Sequence, residues 1–151
     1  MEDWRRIDID AYDPDRGLTE EDLRPAAAPV TSQEVSTKAQ QVRTLSGRGS
    51  FGDSLAYALT DPPYGADEGS KALYLSSVLE ALQGVKQSEI PEVVKSLDRD
   101  QQDALIKVIY RGMETKDGQK QGGLLLSWFD KTIEVTGNGP IVRYMSDKRV
   151  L

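Results

Sequence analysis

Cysteine and histidine are both absent from this chain of 151 residues. Without cysteine there can be no disulfide bond, no thiolate metal ligand and no cysteine nucleophile. Without histidine the chain lacks the commonest general base near neutral pH and the commonest metal ligand. These absences weigh against an enzyme and predict no cofactor and no metal site. Together with the lack of a signal-like apolar start, they favour a reducing, intracellular compartment.

Long apolar runs and an excess of basic charge are also missing. No run approaches the roughly 18 residues that a transmembrane helix needs, so no membrane span is predicted. The formal net charge is −6, and residues 1–30 contribute most of it with nine acidic and four basic side chains. Neither this acidic part nor the nearly neutral remainder offers the basic surface that nucleic acid requires. We therefore expect no nucleic-acid partner.

What the chain does have, close to its amino terminus, is a strand-like run, "WRRIDIDAYDPDR", over residues 4–16. It alternates apolar and charged residues, yet the following "GLTEEDLRPAAAPVTSQ" offers no second strand to pair with it. Such a segment suits addition to the sheet edge of another protein or an extended pose in a groove. The alternation puts Ile7, Ile9 and Ala11 on one side, with Trp4 and Tyr12 as anchors on the other. We predict that this run binds a partner.

From Thr31 onward, apolar residues recur at the three- and four-residue spacing of helices. Thr31 with Glu34 is spaced as a capping box, and Asp98, Ser50 and Ser88 are further candidate caps. The pattern predicts seven helices and no internal sheet, with "TKDGQKQGG" interrupting it between the fifth and the sixth. The expected fold is all-α, a bundle or superhelical stack of about seven helices. Residues 1–30 are expected to form an extended, partly disordered amino-terminal arm and linker, and residues 31–151 the helical domain.

Two short motifs favour plain structural interpretations. "GNGP" at residues 137–140 could present backbone amides to a phosphate, but it follows a helix and lacks a Lys-Ser or Lys-Thr pair, so a helix–helix connection is favoured. "DIDAYDPD" has the alternating carboxylates of a calcium loop without its glycine and closing glutamate, so a solvated acidic segment is favoured.

The carboxy-terminal half carries two further features. The adjacent rings of Trp128 and Phe129 point about 100° apart on a helix, so a small core need not hold both, and Trp128 is a candidate contact with a partner. Basic residues recur in this half, and we expect them to form a solvated, charged rim: Lys107, Arg111, Arg143, Lys148 and Arg149.

Several blocks of this sequence resemble a known family in both order and spacing. They are "WRRIDIDAYD", "LAYALTDPP", "VLEAL", "VKSLDRDQQDALIKVIYRGME", "LLLSWFDK" and "GNGPIVRYMSDKRVL". The chain resembles subunit 5, the smallest subunit, of the actin-related protein 2/3 complex, the seven-subunit assembly that nucleates branched actin filaments. The proline-containing linker and the "SDK" near the end suggest a fungal member.

The resemblance implies an α-α superhelix without catalysis of its own. It implies a helical body docked on the β-propeller subunit and the neighbouring scaffold subunit, and contact with the actin filament through the assembly. The implied location is the cytoplasm and cytoskeleton, in cortical actin patches. The arm would hold actin-related protein 2 through Trp4, Arg5, Ile7, Ile9 and Tyr12. The closing block would belong to the body, with Ile141, Val142, Arg143 and Tyr144.

Two alternatives stay open from the residues. A stand-alone helical adaptor would explain the same helices and the same peptide-like terminus. A hydrolase or transferase would have to rely on Asp, Glu, Lys, Ser or Tyr, and none of these is suggestively clustered.

Overall fold

The computed structural model describes residues 11, 19 and 22–151, and in this part of the chain all regular secondary structure is helical. Within residues 22–151, eight α-helices follow one another: α1 (Ser32–Gly47), α2 (Phe51–Leu59), α3 (Glu68–Gly84), α4 (Ile90–Ser96), α5 (Arg99–Glu114), α6 (Lys116–Gln119), α7 (Gly122–Thr136) and α8 (Gly139–Ser146). The predicted all-α fold is confirmed.

The helix starts follow the predicted capping residues in two places and depart from them in two others. Thr31 and Asp98 each form a complete capping box at the starts of α1 and α5. Ser50 occupies the N-cap of α2, but its side chain makes no capping hydrogen bond. Ser88 is not the cap of α4, because that helix begins at Ile90 after Glu89. A serine can cap only where its hydroxyl reaches the free amides of the first turn.

The one helix that the sequence pattern did not predict is α6, which lies inside the segment "TKDGQKQGG". Its N-cap is Thr115, whose hydroxyl accepts a hydrogen bond from the Gly118 amide at 3.2 Å. Four residues are too few to display an apolar period, so the pattern gave no sign of it. Gly118 is buried against the end of α5, where a methyl group on it would lie 2.0 Å from the Gly112 carbonyl oxygen.

Helix α5 is central, because it packs against α2, α3, α6, α7 and α8. Its six consecutive residues from Ala104 to Ile109 are all buried, as expected for a helix with neighbours on every side. The remaining core comes from α1 packed on α2 and α3, and from α4 packed on α7. In the described part of the chain, no helix is both long and apolar enough to cross a membrane.

The described end of the linker lies against the loop between α2 and α3. A methyl group on Gly65 of that loop would lie 2.1 Å from the carbonyl oxygen of Ala28 and 3.3 Å from the Cα of Pro29. Only a glycine allows so close a backbone approach. Val30, the last linker residue, packs against the edge of the core.

Candidate partner-binding surface

Helix α8 carries the closing block, and two of its side chains bind it to the domain. The Arg143 guanidinium donates two hydrogen bonds to the Asp103 carboxylate of α5, at 2.5 and 2.7 Å. This paired geometry raises the pKa of Arg143, chiefly through the hydrogen bond to Asp103. The Tyr144 ring stacks on Tyr110 of α5, with centroids 4.4 Å apart and planes 4° from parallel. Arg143 and Tyr144 therefore fix the orientation of α8 on α5.

The opposite face of α8 presents apolar side chains to solvent. Val142 and Met145, three residues apart on one helix face, are 63% and 73% exposed. Ile141 is half-buried, and Pro140 in the first turn is buried. This exposed aliphatic pair on a firmly held helix makes the outer face of α8 a candidate surface for another protein.

Trp128 does not belong to this surface. Its ring is fully buried, and its indole Nε1–H donates to the carbonyl oxygen of Leu82 at 3.2 Å. Its neighbour Phe129 is half-buried and meets Tyr110 edge-on, with centroids 5.7 Å apart. The core holds the larger ring because α7 faces both α4 and α5, so the prediction that Trp128 contacts a partner does not fit its place in this fold.

The predicted charged rim is wrong for Lys107, which is buried with only 5% exposure. Its ammonium donates to the Asp147 carboxylate at 2.5 Å and to the Arg149 carbonyl oxygen at 3.2 Å. Burial lowers the pKa of Lys107, and the hydrogen bond to Asp147 opposes that shift. Burial alone would raise the pKa of Asp147, but hydrogen bonds from Arg149 and Lys107 outweigh it and hold that pKa well below its usual range.

Arg149, in the segment that follows α8, belongs to the same charged cluster as Lys107 and Asp147. Its guanidinium carbon lies 4.6 Å from the centroid of the Tyr64 ring, and the Lys107 ammonium lies 4.5 Å from that centroid. Burial raises the pKa of the Tyr64 phenol. The final residue, Leu151, is 4% exposed and forms part of the core. A lysine flanked by apolar residues on both sides along α5 was the one sequence signal for this cluster.

The glycine-rich connection at residues 137–140 joins α7 to α8, as predicted. Gly137 ends α7 with a positive φ of 70° and closes it with a hydrogen bond from its amide to the Ile133 carbonyl. Within the ranges that the structure describes, no group of three or more acidic, histidine or cysteine side chains is placed to hold a metal ion. The predicted arm residues Trp4, Arg5, Ile7, Ile9 and Tyr12 lie outside the described residues, as does almost all of "DIDAYDPD".

An all-helical domain that exposes apolar side chains from a well-anchored last helix is typical of proteins that bind other proteins. The family model described as "ARP2/3 complex 16 kDa subunit (p16-Arc)" matches residues 3–151. The chain is 47% identical to actin-related protein 2/3 complex subunit 5 of Saccharomyces cerevisiae, over 99% of this chain and 98% of that protein. It is also 32% identical to the human subunit 5-like protein, over 98% and 94% of the two chains.

This chain belongs to the family of 16 kDa subunits of the actin-related protein 2/3 complex. The resemblance identified from the sequence blocks is thereby confirmed.

Proposed function

We propose that this chain is a non-catalytic, structural subunit of the actin-related protein 2/3 complex and contributes to the nucleation of branched actin filaments. The observation that carries the proposal is the family match, which extends over residues 3–151. The yeast relative is named subunit 5 of that complex, and the human relative is named a subunit 5-like protein. Similarity to both supports the proposal. The corresponding location is the cytoplasmic actin cytoskeleton, including cortical actin patches.

In this proposal the helical domain docks on the β-propeller and scaffold subunits, and the closing block takes part in the docking. Arg143 and Tyr144 hold α8 in place. Val142 and Met145 expose apolar side chains of the kind found at the centres of protein–protein interfaces. Ile141, the half-buried residue before Val142, is a further apolar member of this block.

The docking proposal is tested by placing a charge on the exposed face of α8. Val142→Asp should weaken co-purification with the β-propeller and scaffold subunits, because a carboxylate at an interface centre loses its water without gaining a partner. Gln40→Asp, at an exposed position on α1, is the matched control and should leave co-purification unchanged. If the Val142→Asp protein assembled normally, α8 would not be part of the docking surface.

The amino-terminal arm is proposed to tether actin-related protein 2 through Trp4, Arg5, Ile7, Ile9 and Tyr12. A weak site attached to a firmly docked body works through effective concentration, because release of the site does not release the partner from the neighbourhood. Some thirty residues extended at roughly 3.3 Å each could follow that partner over a distance well beyond the diameter of the domain.

The tether is tested in the assembled complex by Trp4→Ala combined with Ile7→Ala. The double variant should enter the complex normally, retain less actin-related protein 2 and form branched filaments more slowly. Glu2→Ala combined with Asp3→Ala, at neighbouring polar positions, serves as the control. Full branching activity with normal retention of actin-related protein 2 in the Trp4 and Ile7 variant would exclude the tether.

The alternative of a stand-alone adaptor makes a different prediction for the native cell. A structural subunit purifies in a fixed seven-member stoichiometry, whereas an adaptor purifies largely as a monomer. Purification of the chain without those partners would overturn the proposed function.

A further inference from the structure

The carboxy-terminal segment, residues 147–151, is fastened to the helical domain at three points. Asp147 accepts a hydrogen bond from the buried Lys107 ammonium, Arg149 lies over the Tyr64 ring, and Leu151 enters the core. Asp147 also accepts from the guanidinium of Arg149 at 2.8 Å. One carboxylate thus binds both cations that lie near the Tyr64 ring.

Tyr64 belongs to the loop between α2 and α3, and both cations lie near its ring. Cations within about 6 Å of an aromatic centroid attract the ring, and partial burial strengthens the attraction. Both distances, 4.5 Å from Lys107 and 4.6 Å from Arg149, fall well inside that range. The loop is also held by its buried residues Pro63 and Ala66.

The residue after Tyr64 is Gly65, on which the linker lies. The carbonyl oxygen of Ala28 comes so close that no side chain would fit there. The linker residues Ala26–Ala28 line the same groove, of about 930 Å³, as Arg143 and Arg149. The carboxy-terminal segment, the Tyr64 loop and the linker therefore form one continuous set of contacts.

We propose that Arg149, together with Lys107 and Asp147, fixes the Tyr64 loop and thereby sets the path on which the linker leaves the helical domain. These three are positioning residues, because they act on the linker through Tyr64 and Gly65. This inference rests on the proposed function in one respect only: the segment before the linker is assigned to a partner. It adds that residues near the carboxy terminus set the path of the linker, which lies near the amino terminus. A linker with a fixed exit direction confines the arm to a smaller volume, which raises its effective concentration near a partner on that side.

The absence of cysteine makes a distance measurement straightforward. Ala27→Cys in the linker and Gln83→Cys on α3 are both at exposed positions and accept spin labels in the full chain. We expect a narrow distance distribution between the two labels in the parent protein. Arg149→Ala should broaden that distribution, whereas Lys148→Ala, which removes the same charge one residue earlier in the chain, should not.

Two further variants separate positioning from general structure. Arg149→Lys keeps a cation over Tyr64 but loses the bidentate geometry toward Asp147, so it should restore part of the narrow distribution. Gly65→Ala leaves the cations untouched and should shift the distribution directly, because its methyl group would displace the Ala28 backbone.

A parent-like distribution in folded Arg149→Ala protein would overturn the inference, and so would equal broadening by Lys148→Ala. If Arg149→Ala does not fold, Tyr64→Leu replaces it, since leucine keeps apolar volume but attracts no cation. A parent-like distribution in Tyr64→Leu, or equal broadening by Lys148→Ala, would then overturn the inference. Because no partner is present in this measurement, its outcome is independent of whether the arm binds actin-related protein 2.

Discussion

The rings of Tyr110 and Tyr144 stack almost in parallel, with their centroids 4.4 Å apart, and join α8 to the central helix α5. The two residues are 34 positions apart in the sequence. The stack, together with the Arg143–Asp103 pair, decides which face of α8 is turned outward.

Removing this stack should loosen α8. Tyr144→Ala should lower the free energy of unfolding by about 1–2 kcal/mol, from the lost aromatic contact and buried area. Met145→Ala, at the exposed neighbouring position, should change it by less than about 0.5 kcal/mol. Urea unfolding followed by circular dichroism measures both, and equal losses in the two variants would show that the stack contributes nothing particular.

Trp128 is predicted to act through stability rather than through a partner. Trp128→Phe leaves space in the core and removes the hydrogen bond to the Leu82 carbonyl, so unfolding should become easier by about 2–4 kcal/mol. Phe129→Leu, at a half-buried position, should cost about half as much or less. Urea unfolding of the free chain measures both. If Trp128→Phe instead lost partner binding while its stability stayed unchanged, Trp128 would be shown to contact a partner.

Gly118 is predicted to be intolerant of any side chain. Gly118→Ala places a methyl group against the Gly112 carbonyl oxygen, and relief requires the backbone of α5 or α6 to move. Overpacking of this kind typically costs about 1–3 kcal/mol. Gly123→Ala in the first turn of α7 meets open space and should be neutral or slightly stabilising. The thermal midpoints of the two variants should therefore move apart, and equal midpoints would refute the close contact.

Acid should destabilise the domain through carboxylates with lowered pKa values. Hydrogen bonds from the side chain and backbone of Ser70, and from Ser32, lower the pKa of Asp67 to about 2, and the pKa of Asp147 is lowered as well. A carboxyl group whose pKa is lower in the folded state adds stability above its unfolded pKa, near 4, and loses it as the pH falls through the folded value. Resistance to urea should hold from about pH 7 to 5 and decline from about pH 5 towards 2.

The matched variant for this decline is Asp67→Asn, which keeps an oxygen to cap α3 but cannot titrate. It should lose less stability between about pH 5 and 2 than the parent protein. Asp130→Asn, at an exposed position on α7, should follow the parent curve. Coincident curves for Asp67→Asn and the parent would show that the Asp67 hydrogen bonds do not contribute to acid sensitivity.

The sequence by itself determined the helical class, most helix positions and the family. Val35, Ala39 and Val42 are buried as their spacing predicted, and Thr31 and Asp98 cap as their local sequences predicted. These features depend on residues three or four positions apart, so a short window of sequence contains all the interacting groups. The family followed because many blocks kept their order over nearly the whole chain.

Only the tertiary structure decided which side chains are buried and which remain available. Lys107 is buried because Asp147, 40 residues later, supplies its carboxylate, and Trp128 is buried because Leu82, 46 residues earlier, supplies its hydrogen-bond acceptor. The close approach of Ala28 to Gly65 likewise joins two segments that no local pattern connects. Periodicity reports which face of a helix is apolar, but the partner that covers that face, or that neutralises a charge on it, is chosen by how distant helices pack.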